Sequence, residues 1–143
     1  MPAERDPIDI AARALAHRDR SRHELEERLA RAGVDERRRA DALETLERVG
    51  YVDDNRFAAA RAAALTERGY GDAAIRHDLT GHGVDSGAVH GAVAGLEPEA
   101  DRARALVARL GRSAKTGAQL ARKGFAEDSI EAALGADVAQ GPE

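Results

Sequence analysis

One phrase recurs along the chain, as LARAGVD at 29–35, LTGHGVD at 79–85 and LARKGFA at 120–126. Each has a Leu, three residues, a Gly and then an apolar residue. This is the wording of a helix that stops and turns back. A glycine just past the last turn can take the left-handed conformation, and the apolar residue after it folds onto the turn it has left. Asp35 and Asp85 follow two of the copies as N-cap candidates for a new helix. In the third, Glu127 and Asp128 only approximate such a cap.

No segment alternates β-branched with polar residues, whereas helical spacing runs throughout. Each phrase sits between the second and third helices of a three-helix unit. In the first unit the spacing predicts helices from about Ile8 to His17, Ser21 to Ala32 and Asp35 to Val49. Ser21 and Glu24 form a capping box, and Leu25, Leu29 and Ala32 make an apolar stripe. In the second unit the helices run from about Asp54 to Leu65, Asp72 to His82 and Asp85 to Gly95, with Ile75 and Leu79 at the places of Leu25 and Leu29. In the third they lie near 99–110, 112–123 and 127–134, and Thr116 stands where the others have Leu25 and Ile75. The expected architecture is all-α: an elongated array of three tandem three-helix repeats at 8–53, 54–96 and 97–135, then a flexible tail at 136–143.

The chain of 143 residues has no cysteine, which excludes disulfides and thiolate metal sites and fits a reducing cytoplasm. No apolar run approaches the roughly 20 residues of a membrane span. The five histidines lack metal-site spacing. No catalytic grouping emerges either. Asp53-Asp54 resembles a carboxylate pair, but in GYVDDNRFA it reads as a turn and an N-cap, with Asp54 as the capping residue. Ser21 is explained by its own cap. The expectation is a protein without cofactor, metal or enzymatic activity.

Charge is unevenly spread. The net charge is −4, yet Arg102, Arg104, Arg109, Arg112, Lys115, Arg122 and Lys123 span a stretch with no acid at all. Within it, RLGRSAKTGAQLARKG fails as a phosphate-binding loop, since Ala114 and Arg109 stand where both glycines should be. On a helical wheel Arg112, Lys115, Gln119, Arg122 and Lys123 share one arc, opposite Ala114, Gly117, Ala118, Leu120 and Ala121. A purely cationic outer face suits phosphate oxygens or an acidic protein groove. Arg18, Arg20, Arg22, Arg28 and Arg31 form a weaker second patch. A helix-turn-helix DNA reader is the alternative, but the third helices of units two and three, DSGAVHGAVAG and EDSIEAALG, carry no Lys or Arg, and only the first unit, with Arg37, Arg38 and Arg39 beside its turn, keeps this reading.

Four phrases in order, RDRSRHELEERLARAGV, LERVGYVDDNRFA, GYGDAAIRHDLTGHGV and LARKGFAEDSIEAAL, resemble the bacterial regulatory protein RecX family over roughly residues 10 to 135. The more specific parts are Arg20-Ser21 with Glu24-Leu25, and Gly50 to Ala58, including Asp54 and Phe57. The resemblance implies a non-enzymatic modulator, generally an inhibitor, of the RecA recombinase. It would lie along the groove of the RecA–DNA filament and limit extension, ATPase and strand exchange. The expected partner is the RecA filament, with single-stranded DNA inside it as a further contact, and the protein is expected to be a cytoplasmic monomer. Ser21, Glu24, Leu25, Gly33, Asp54, Phe57, Gly83 and Gly124 would be scaffold, while the cationic helices would act.

Overall fold

The computed structural model describes residues 5–140, with side chains through residue 135. The described residues form nine α-helices and no strand. These are α1 (Pro7–His17), α2 (Arg22–Arg31), α3 (Glu36–Arg48), α4 (Asp54–Glu67), α5 (Asp72–Gly81), α6 (Ser86–Ala94), α7 (Glu99–Leu110), α8 (Ala114–Arg122) and α9 (Glu127–Gln140).

Local chemistry sets most of the boundaries. Asp35 and Asp85 accept from Arg38 N and Ala88 N, and Ser21 and Glu24 form both halves of the capping box. The glycine turns close as the phrase requires. Gly33, Gly83 and Gly124 have φ of +86°, +78° and +91°. Val34, Val84 and Phe125 donate back to Leu29, Leu79 and Leu120 at 3.0–3.2 Å, the six-residue bond that satisfies a helix's last carbonyls. Two further copies of the phrase, LERVGY (46–51) and LTERGY (65–70), end α3 and α4 with the same bonds from Tyr51 to Leu46 and from Tyr70 to Leu65.

Four expectations are corrected. The cap of α4 is Asp53, not Asp54: Asp53 is extended (φ −153°, ψ 100°) and its carboxylate accepts from Arg56 N at 3.1 Å. The second helix of the last group starts at Ala114, because Ser113 caps it, so Arg112 lies in the linker after Gly111 and off the helical arc. Ala32 and Ala118 are exposed, and the buried positions on their helices are Leu25 and Leu29 in α2 and Thr116 and Leu120 in α8. Finally, α9 continues to Gln140 where a tail from 136 was expected. Gly135 alone costs a helix only about 1 kcal/mol and does not stop it. Residues 141–143 of that tail lie outside the described residues.

Helices α1–α3, α4–α6 and α7–α9 pack among themselves, each trio around its own core. The first core centres on Leu25, Leu29, Leu43, Leu46 and Val52, and the second on Phe57, Leu65, Ile75, Leu79 and Val84. The third is smaller, built on Ala103, Val107, Leu120, Phe125 and Ala133. Thr116 fills the seat of Leu25 and Ile75 there. It is 4 % exposed, with its hydroxyl hydrogen-bonded to Ser113.

Consecutive trios meet through one arrangement used twice. The glycine turn ending α5 abuts the start of α2, and the glycine turn ending α8 abuts the start of α5. Ser21 Oγ donates to His82 O at 2.7 Å, and Gly71 N donates to Lys123 O at 2.8 Å. Helix ends of opposite partial charge are thereby joined. The first residue of the next trio completes each joint with a carboxylate. Asp54 accepts from Arg22 N at 2.8 Å, and Glu99 accepts from Asp72 N at 2.7 Å. Gly71 shows why the cap must come from elsewhere. A Cβ there would stand 2.5 Å from Phe125 N, so the residue starting α5 can carry no capping side chain. Glu99 supplies the cap and also accepts from Ala126 N (3.0 Å) and Ser129 Oγ (2.7 Å) at the start of α9.

Two outcomes follow for stability. At Gly33 alanine meets no atom within 4 Å, so Gly33→Ala should cost only the left-handed strain, about 1–2 kcal/mol. At Gly124 a Cβ would also lie 2.6 Å from Ala74 N and Cβ, so Gly124→Ala should cost clearly more in urea denaturation, by about a further 1–3 kcal/mol. The pH dependence is also set by the joint. Burial of Glu99 favours its neutral form, but the hydrogen bonds from Asp72 N, Ser129 and Ala126 and the Arg102 charge outweigh it, holding the pKa below the ordinary value. A depressed carboxylate contributes its full stability above the unfolded pKa, near 4.3, and loses it as pH falls through the folded value. Glu99→Gln should therefore lower stability at neutral pH and flatten the decline between about pH 5 and 3.

Candidate partner-binding surface

The seven cations between residues 102 and 123 are equal in the sequence and unequal in the fold. Arg102 is corrected outright, being 9 % exposed and inside the second joint. Its guanidinium donates to Asp72 Oδ1 at 2.7 Å, Tyr70 O at 3.0 Å and Glu97 O at 3.2 Å, and it lies over the Phe125 ring. Arg102 is scaffold, because the fork that could have met a partner's carboxylate already holds one of its own. Arg104 is exposed but paired with Asp101 one turn earlier. Lys123 is half-buried, its ammonium 4.1 Å from the Tyr70 ring centroid and donating to Arg68 O at 3.3 Å.

Arg109, Arg112, Lys115 and Arg122 remain exposed. Among the described residues Arg109, Lys115 and Arg122 make no ion pair. Their placement departs from the usual local electrostatics. A helix N-terminus carries partial positive charge and favours acids. Helices α1 to α5 and α7 each have an acid in their first turn. The first turn of α8 has none, and Lys115 sits there, just after Arg112 and Ser113. The start of α8 therefore presents positive charge where most of the other helices carry an acid.

The second patch is largely neutralised. Arg18 binds Glu24 at 2.7 Å, Arg22 pairs with Glu47, and Arg31 lies 3.7 Å from Glu27. Arg20 donates to Ala14 O at 3.3 Å, and partial burial, then the nearby Arg18 and Arg28 charges, lower its pKa. Arg28 is exposed with no ion pair among the described residues.

Of the scaffold residues, Ser21, Leu25, Phe57 and the three turn glycines act structurally, as described above, and Asp54 serves the joint. Arg68 was not anticipated. It ends α4, and its guanidinium carbon lies 5.5 Å from the same Tyr70 ring that carries Lys123. Two cations thus share one aromatic ring at the second joint. The phrase LTERGY was the available signal, since it places Arg68 at a helix end as LARKGF places Lys123. The difference between buried and exposed arginines is measurable. Arg102→Ala should lose about 3–5 kcal/mol by leaving Asp72 unpaired, whereas Arg109→Ala should stay within about 0.5 kcal/mol of wild type in thermal or urea unfolding.

Comparison with known proteins agrees with this architecture. Family models described as the first and second three-helix domains of RecX match residues 8–46 and 53–92. A regulatory protein RecX of Xanthomonas axonopodis pv. citri is 35 % identical over 145 residues, covering 94 % of this chain and 90 % of its own. One from Stenotrophomonas maltophilia is 34 % identical over 142 residues, covering 92 % and 87 %. The crystal structure of RecX from Lactobacillus salivarius superposes with a TM-score of 0.78 at 18 % identity, covering 90 % of this chain and 92 % of that one. The identity and coverage together establish that the chain belongs to the RecX family of regulatory proteins.

Proposed function

We propose that this protein is a non-enzymatic modulator of the RecA recombinase, acting as an inhibitor that binds RecA–DNA filaments and limits their extension, ATPase and strand exchange. The observation that carries the reading is the cationic surface of the third trio. In a RecX-family chain with net charge −4, Arg109, Lys115 and Arg122 project outward with no ion pair among the described residues. Such a surface is drawn to an anionic assembly, whether acidic protein or the phosphates of the DNA it encloses, while the rest of the chain limits binding to bare DNA.

The three helix trios are read as tandem copies of one unit, at 8–53, 54–96 and 97–135, stacked in a row. Their support is the twice-used joint and the three separate cores. A row of units can touch neighbouring filament subunits at once, and linking two weak contacts raises the effective affinity. A helix-turn-helix reader of bare DNA fits less well. Helix α6, which would enter the groove, has no Lys or Arg and buries Ala88, Val89, Ala92 and Val93 in its own core.

RecA ATPase and strand exchange, measured with this protein added, test the proposal. Wild type should depress both. Reversing Arg109, Lys115 and Arg122 to Glu should weaken the effect at least tenfold without loss of helicity, and should reduce the salt dependence of filament binding. Equal binding to bare DNA and to filaments would favour the DNA reader. No effect of wild type would refute the proposal.

A further inference from the structure

One residue before the Leu of the glycine phrase, the three copies diverge, with Arg28 in α2, Asp78 in α5 and Gln119 in α8. Asp78 binds within its own trio, where Arg61 grips both its oxygens at 2.7 and 2.8 Å. Arg28 is exposed and forms no ion pair among the described residues. Together with Arg20, Glu24, Leu25, Glu27 and Arg31 it lines a cavity of about 110 Å³.

Arg20 is held there by one end of its guanidinium. Its Nε donates to Ala14 O, in the last turn of α1, at 3.3 Å, and its two terminal amino groups make no hydrogen bond among the described residues. Like charge crowds it: partial burial, then Arg18 and Arg28, lower its pKa, and Glu24 offsets them only in part. Both carboxylates of the lining are engaged elsewhere. Glu24 accepts from Arg18 at 2.7 Å and from Ser21 N at 3.1 Å, while Glu27 lies 2.6 Å from His23 Nε2 and 3.7 Å from Arg31. The other acids of α2 and of the linker before it are also taken, Glu26 by Arg39 and Asp19 by Arg56. Asp9 stands on the first turn of α1, at the opposite end from the turn that receives Arg20. Arg20 and Arg28 are therefore the two guanidinium groups of this cavity that no carboxylate holds.

We infer that this cavity is a binding site for one phosphate group, gripped by Arg20 and Arg28 with Arg31 at its edge. A carboxylate is satisfied by a single planar fork, whereas the tetrahedral oxygens of a phosphate can meet two forks at once. Anchoring Arg20 through its Nε also restricts the side chain before the ligand arrives, which lowers the ordering cost of binding. On the filament reading the phosphate belongs to single-stranded DNA. Only this source rests on that reading, and free phosphate is the other source of the same chemistry.

The test uses the full chain without RecA. Inorganic phosphate is titrated against the Nε–H resonance of Arg20, with chloride and acetate at matched ionic strength, and a short oligothymidylate is titrated at several salt concentrations. Phosphate should give a saturable shift that chloride and acetate do not. Arg28→Gln, with helicity checked by circular dichroism, should weaken oligothymidylate binding about tenfold at low salt. It should also lower the slope of log affinity against log salt by roughly 0.7, the share of one phosphate on a single strand. Because Arg28 makes no ion pair in the fold, this variant carries the test even where Arg20→Gln proves unstable. A phosphate shift with unaltered oligothymidylate binding supports the site and assigns it to free phosphate. No saturable shift, or an equal response to acetate, overturns the inference, the latter by making the occupant a carboxylate. Neither arm contains RecA, so failure here leaves the proposed function standing, and loss of that function leaves the site.

Discussion

The open N-terminus of a helix and the closed C-terminus of another hold this protein together between its cores. A helix leaves its first N–H groups and last carbonyls without partners. Here the glycine turn that ends α5 or α8 is pressed against the start of α2 or α5, and a carboxylate from the next trio fills the remaining gap. The arrangement requires an acid at the first position of the following helix, met by Asp54 and Glu99, and little bulk at the contact, met by Gly124 against Ala74. Each core is small, so these joints decide whether three trios behave as one body.

That requirement explains where the surface charge is left. The second joint consumes Arg102 and partly occupies Lys123, and Arg68 is drawn to Tyr70 beside them. The first trio consumes Arg18, Arg22 and Arg31 in its own ion pairs. In the last trio Arg109, Lys115 and Arg122 remain exposed with no ion pair among the described residues.

Helix positions, the capping box and the three chosen glycine turns were legible in the sequence, because each depends on residues within a few positions of one another. The copies at LERVGY and LTERGY were equally local and equally readable. What depended on distant residues was not. Asp53 and Asp54 are adjacent acids, and only the approach of α2 assigns one to its own helix and the other to Arg22. Glu99 looked like an ordinary first-turn acid until three N-terminal groups from α5 and α9 converged on it. Above all, the sequence determined that residues 102 to 123 are uniformly cationic, since charge is a property of composition. Only the tertiary structure decided that Arg102 is buried and that Arg109, Lys115 and Arg122 have no ion pair among the described residues, because neutralisation depends on which carboxylate the fold carries to within about 3 Å of each cation.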